Sequence, residues 1–137
     1  MPVVKDRKKL EKKAWEWFSR YIRLKTADSS GMVKCFTCGR VKHWKEMDAG
    51  HYKSQGHHKK LKFFEPNVRC QCTRCNRFLH GNLGEYHRLL VAENPDIDNV
   101  FAVIEATKGK MSASDFEYMI SEYKPKVESL LKGLGDG

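Results

Sequence analysis

The chain has 137 residues, 40% hydrophobic and 31% charged, with a mean hydropathy of −0.66. That length suits one domain, and that polarity excludes the unbroken apolar run of about 20 residues that a membrane span needs. The net charge of +9 is unevenly carried: residues 1–77 hold 20 basic and 7 acidic side chains, residues 78–137 hold 6 and 10. A polyanion is therefore expected to meet the first half, because Lys and Arg release counterions condensed on phosphates. The start, Met1-Pro2-Val3-Val4-Lys5-Asp6-Arg7, has no apolar stretch of the signal-peptide kind, so a cytoplasmic location with no membrane partner is expected.

Residues 5–26 are predicted to form a basic amphipathic helix, since Leu10, Ala14, Trp17, Phe18, Tyr21 and Leu24 recur at steps of three and four. Its rings read as core, whereas Lys12, Lys13, Arg20 and Arg23 are candidate DNA contacts. Asp28-Ser29-Ser30-Gly31 ends it. Two short extended pieces then surround Cys35-x-x-Cys38-Gly39, where glycine tolerates the positive φ of a tight turn. A strand over 44–52, a His/Lys/Gly-rich loop over 54–60, a helix over 72–79 and another over 83–92 follow, the last stopped by Asn94-Pro95. Ile97, Val100, Phe101 and Ile104 mark a short helix. Phe116, Met119, Ile120, Tyr123, Val127, Leu130 and Leu134 mark a long one, with a capping box in Ser114-Asp115-Phe116-Glu117 and an interruption at Pro125. The helical region 82–137 thus carries an apolar stripe that serves either the chain's own core or a contact between two copies.

Five cysteines in a chain with no export signal point to ligands rather than disulfides. Cys35-x-x-Cys38 and Cys72-x-x-Cys75 each place two thiolates at adjacent corners of a zinc tetrahedron, and a redox role gives no reason for two pairs. Four thiolates leave no open position, so this zinc is structural and catalysis lies elsewhere. Cys70 is left over as a small buried residue.

Between the pairs stand Asp48-Ala49-Gly50-His51-Tyr52 and Asn67, and Asn76 follows Cys75. A histidine at a strand end, an asparagine on the next strand and an asparagine at a zinc-bound helix resemble the ββα-metal (HNH, His-Me finger) nuclease set. Phosphodiester hydrolysis needs a base for water and a cation at the phosphate. His51 suits the base, Asn76 offers an oxygen to Mg²⁺ or Mn²⁺, and Asn67 would tie the His51 loop by hydrogen bonds. Asp48 is the obvious second cation ligand, although an odd spacing turns it away from His51 unless Gly50 hosts a bulge. His80, one helical turn after Asn76, is its rival. Lys53, Lys59, Lys60 and Arg77 are further candidates for DNA.

Lys13-Ala14-Trp15, Phe18-Ser19-Arg20-Tyr21-Ile22-Arg23, Cys35-x-x-Cys38-Gly39-Arg40, Asp48-Ala49-Gly50-His51-Tyr52, Leu61-x-Phe63-x-Glu65-x-Asn67 and Gln71-Cys72-x-x-Cys75-Asn76-Arg77-x-Leu79-x-Gly81-Asn82-x-x-Glu85-Tyr86 together resemble the phage NinG/Rap recombination proteins. Cys72-x-x-Cys75-Asn76 is also similar to a segment of phage endonuclease VII, in which an aspartate occupies the place of Gly50. The resemblance implies an α+β fold: a zinc-stapled, treble-clef-like ββα-metal core over 33–80, flanked by the basic helix and the C-terminal helices. It also implies a structure-selective endonuclease for branched DNA, Holliday junctions and D-loops. Symmetrical cutting of a junction needs two sites, which a homodimer supplies. A less selective HNH nicking or restriction enzyme and a non-catalytic zinc-stapled DNA-binding module are the alternatives.

Overall fold

The computed structural model describes residues 6–134. The first five positions of the expected domain, including Lys5 of the expected helix, and the last three lie outside the described residues. Helix α1 runs over Arg7–Leu24, capped by Asp6, which accepts the Lys9 N–H at 3.1 Å. Ala14, Phe18, Ile22 and Leu24 recur along one face and are buried. That face meets helix α4 (Ala113–Lys132) and strands β3 (Met47–His51) and β4 (Val68–Cys72).

The fold is mixed α+β with two small antiparallel sheets. Strand β1 (Met32–Lys34) pairs with β2 (Val41–His43), and β3 pairs with β4 so that Asp48 lies opposite Gln71 and Gly50 opposite Arg69. The strand expected over 44–52 starts late, because Trp44–Glu46 form a 3₁₀ turn in which His43 Nδ1 accepts the Lys45 N–H at 3.3 Å. The helix expected over 72–79 is a single π turn, Arg74–Phe78. His80, Gly81 and Asn82 follow at φ 52°, 94° and 51°, left-handed values that no right-handed helix continues.

Helices α2 (Leu83–Glu93) and α3 (Ile97–Glu105) match the periodicity. The capping box of α4 is two residues earlier than expected. Ser112 has the extended backbone an N-cap needs; its Oγ accepts the Asp115 N–H at 3.2 Å while Asp115 Oδ2 accepts the Ser112 N–H at 2.7 Å. The helix runs through Pro125 without interruption, since Pro125 and Ser121, whose carbonyl loses its intrahelical partner, both face solvent.

Phe116, Met119, Ile120 and Tyr123 pack with Phe18 and Phe63, while Val127, Leu130 and Leu134 pack with Leu24, Trp44 and Met47 around the cysteines. The α4 stripe thus packs into the chain's own core. A third cluster of Leu61, Tyr86, Leu90, Ile97 and Phe101 supports the long connection between β3 and β4. Among the described residues no helix is long and apolar enough to cross a membrane.

Candidate metal centre and active site

Cys35 and Cys38 stand between β1 and β2, Cys72 ends β4, and Cys75 lies in the π turn. The four sulfurs lie within 4.8 Å of one another, Cys38 and Cys72 at 3.7 Å. Zinc–sulfur bonds of about 2.3 Å in a tetrahedron set sulfurs about 3.8 Å apart, so the quartet could hold a zinc ion. The Cys75 N–H donates to Cys72 Sγ at 3.5 Å, and Asn82 Nδ2 to Cys75 Sγ at 3.6 Å, donors that suit thiolates. Burial raises the Cys35 thiol, but the Thr37 hydroxyl and backbone amides outweigh it and bring it to about 6. Burial pushes the Cys70 thiol up to about 12, keeping it neutral.

Along β3, Met47, Ala49 and His51 alternate toward α1, whereas Asp48 and Gly50 face the π turn. His51 stacks on Trp15, rings 5.0 Å apart and 19° inclined, and its Nε2 lies 3.0 Å from the Lys62 carbonyl. A carbonyl only accepts, so Nε2 carries the hydrogen and Nδ1 keeps a free lone pair. Burial lowers the His51 pKa, and the Lys62 carbonyl offsets this only in part. The ring is thus a neutral imidazole. Lys62 is itself held by Glu11 Oε2, 2.8 Å from its Nζ.

Asn67 is fully buried. Its Oδ1 accepts the Lys53 N–H at 2.8 Å, and its Nδ2 donates to the carbonyls of Lys53 at 3.0 Å and Leu61 at 3.1 Å. One side chain therefore binds the backbone two residues past His51 to the residue preceding Lys62. Replacing Asn67 by Ala strands two carbonyls and an amide, and is expected to cost roughly 2–5 kcal/mol of stability. A urea titration with a lowered midpoint and an unchanged slope checks this; an unchanged midpoint would refute it.

On the other face, Asn76 Nδ2 donates to Asp48 Oδ2 at 3.0 Å, and Arg77 grips the same carboxylate through Nε at 3.1 Å and Nη2 at 3.2 Å. Gly50 pairs in register with Arg69 and hosts no bulge, so Asp48 and His51 stay on opposite faces. His80 loses the premise that made it a rival ligand, because the chain leaves the π turn at Phe78 and His80 is exposed at positive φ. Among the described residues, only the cysteine quartet brings three or more His, Cys, Asp or Glu side chains into ligand reach.

Lys12 and Lys13 are exposed on α1, while Lys53 is half-buried. The Arg20 guanidinium packs 4.8 Å over Trp17. Arg23 lies 5.2 Å over Trp44, bonds the Ser19 carbonyl at 3.2 Å, and has its pKa lowered by burial, so its charge is used internally. Lys59 and Lys60 open onto a cavity of about 660 Å³ that Arg7, Lys62, Lys108 and Lys110 also line, together with the acids Glu11, which pairs with Arg7 and Lys62, and Asp115. Sequence reasoning missed Lys108 and Lys110, which belong to the acidic half and reach this cavity only through the α3–α4 connection. It also missed Trp15 and Lys62 as supports of His51, since no local spacing ties either to position 51.

The profile of the family described as Bacteriophage Lambda NinG protein matches residues 2–133. The chain belongs to this family. It is 27% identical over 129 residues to protein ninG of Salmonella phage P22, covering 93% of this chain and 61% of that protein. It is 26% identical over 130 residues to protein ninG of Escherichia phage lambda, with 93% and 60% covered. Protein ninG of Escherichia phage 933W is 32% identical over 89 residues, 65% of this chain and 42% of that protein. The chain spans about three fifths of the length of the P22 and lambda relatives. No solved structure matches. The NinG range contains both cysteine pairs, His51, Asn67 and Asn76.

Proposed function

We propose that this NinG-family chain is a metal-dependent, structure-selective endonuclease for branched DNA, with β3, β4 and the π turn as a ββα-metal (HNH) core. The observation that carries this reading is the Asn67 clamp. A buried asparagine ties the backbone two residues after a half-buried, neutral histidine to the segment whose Lys62 carbonyl holds its ring, and Nδ1 is left free. A structural histidine needs no such support, whereas a base must be held in one orientation.

In this reading His51 Nδ1 takes a proton from the attacking water, and Trp15 with the Lys62 carbonyl holds the ring while it does so. Mg²⁺ or Mn²⁺, when bound, supplies charge stabilisation at the phosphate. The groove lined by Arg7, Lys59, Lys60, Lys62, Lys108 and Lys110 takes the phosphate backbone and adjoins the His51 support through Lys62. Such contacts carry no sequence information, so selectivity falls to the shape of the branch. A homodimer would place two sites on a four-way junction.

A second reading, a zinc-stapled DNA-binding module, is favoured by the separation of His51 from Asp48 and Asn76 across the hairpin. The test compares a labelled four-way junction with duplex and single strand of the same sequence, in Mg²⁺ or in EDTA. Metal-dependent cutting of the junction alone supports the proposal. Equal cutting of every substrate leaves a less selective nuclease, and binding without cutting in any divalent cation leaves the module. In either enzyme or module, Lys108→Glu with Lys110→Glu is expected to reduce the log–log salt slope of binding by about 2, and an unchanged slope removes the groove from the interface.

A further inference from the structure

Gln71 is fully buried on β4, directly opposite Asp48. Its Nε2 donates to the Gly81 carbonyl at 2.9 Å and to Thr37 Oγ1 at 3.0 Å. Because a carbonyl can only accept, these bonds fix the amide and turn Oε1 the other way. There Oε1 has no hydrogen-bond partner. It fills the gap beside Gly50, where a Cβ would stand 1.9 Å from Gln71 Oε1 and 3.0 Å from Asn76 Oδ1. Asn76 is oriented by the same logic, since its Nδ2 is taken by a carboxylate and its Oδ1 faces that gap.

Two amide oxygens therefore face the gap beside Gly50, with no donor for Gln71 Oε1, and the Asp48 carboxylate lies next to them, bonded to Asn76 Nδ2. Leaving a buried acceptor unmatched is costly, and such atoms in native chains call for a reason. Hard cations take oxygens of this kind, and a set with one carboxylate suits Mg²⁺ or Mn²⁺ with water completing the shell. Arg77 bonds the same carboxylate from the solvent side, so the amide oxygens rather than net charge have to make the site.

We propose that Gln71 Oε1, Asn76 Oδ1 and the Asp48 carboxylate form a divalent-cation site on the π-turn face of the hairpin, with Gly50 as the gap that lets them meet. This deepens the endonuclease reading by naming the ligands of its cation, Gln71 replacing His80. Thr37 Oγ1 stands 3.5 Å from Cys35 Sγ, so the knuckle that could hold zinc also sets the direction of the Gln71 amide.

The test is Mn²⁺ titrated into the zinc-loaded protein without DNA, with free Mn²⁺ read by electron paramagnetic resonance. One Mn²⁺ is expected to bind. Gln71→Met, which keeps length and loses the oxygen, should weaken binding by at least about tenfold with zinc content unchanged. His51→Gln should bind Mn²⁺ as the wild type does. Should Gln71→Met not fold, the wild type still decides: at low Mn²⁺ the side-chain amide signals of Gln71 and Asn76 are expected to broaden before those of exposed residues. No Mn²⁺ binding, equal affinity in Gln71→Met, or a sharp Gln71 amide signal in Mn²⁺ would overturn the proposal. Mn²⁺ bound through Gln71 in a protein that cuts no DNA would sink the nuclease reading alone, whereas cation-dependent cutting with no role for Gln71 would sink the site alone.

Discussion

Replacing His51 with glutamine is expected to lower junction cutting by about 10²–10⁴-fold while junction affinity and melting temperature hold. Glutamine can still donate to the Lys62 carbonyl, so the support around the site keeps its partner; it offers no basic nitrogen to water. The pH dependence follows from the same burial. Because burial holds the His51 pKa below the ordinary value of about 6.5, the ring stays neutral down to lower pH, and the acid limb of cutting is expected below about 6.5. As pH falls through the depressed pKa the base is protonated and cutting is lost. Stability has the same sign: folded His51 binds fewer protons than unfolded His51, so its contribution declines as pH drops below about 6.5, and His51→Gln removes that decline. Trp15→Ala opens the ring to water and should move the acid limb upward. Wild-type rates in His51→Gln would exclude His51 as the base.

The parts legible in the sequence were those fixed by short-range spacing. The cysteine pairs announced a quartet because a ligand geometry constrains residues three apart, and α1, α3 and α4 announced themselves through apolar recurrence. Asn67 was singled out by the resemblance to the His/Asn/Asn set, and its burial and its bonds to Lys53 and Leu61 became visible only in the fold. What escaped depends on non-local packing. The π turn at Arg74–Phe78 looks helical in any short window, and only three successive left-handed residues show that it cannot propagate. Gln71 read as one more member of a motif, because its importance lies in an oxygen left without a donor, which no pattern of residue types reveals. The odd spacing of Asp48 and His51 did foretell their separation, and the regular register at Gly50 kept it.

Removing zinc from a loaded cysteine quartet is expected to unfold the segment 33–80 and, on the proposed reading, to abolish cutting together with the proposed Mn²⁺ site. This segment holds two short hairpins and single helical turns, and such hairpins are marginal on their own in water. The quartet ties the first hairpin to the end of the second and to the π turn, and structural zinc in comparable peptides contributes about 10–16 kcal/mol of apparent binding free energy. Asn76 follows Cys75 directly, and Thr37, which orients Gln71, lies inside the first Cys-x-x-Cys. Loss of the metal would therefore release two of the three proposed cation ligands at once. Cys75→Ser should reproduce the effect of a chelator, with zinc content falling below one per chain, the melting temperature dropping sharply and cutting lost. His51→Gln, by contrast, keeps zinc and stability and loses only cutting, so the pair of variants separates the scaffold from the base. A chelated protein that melts as the loaded one does, with its four thiols freely reactive, would show that the quartet holds nothing the fold requires.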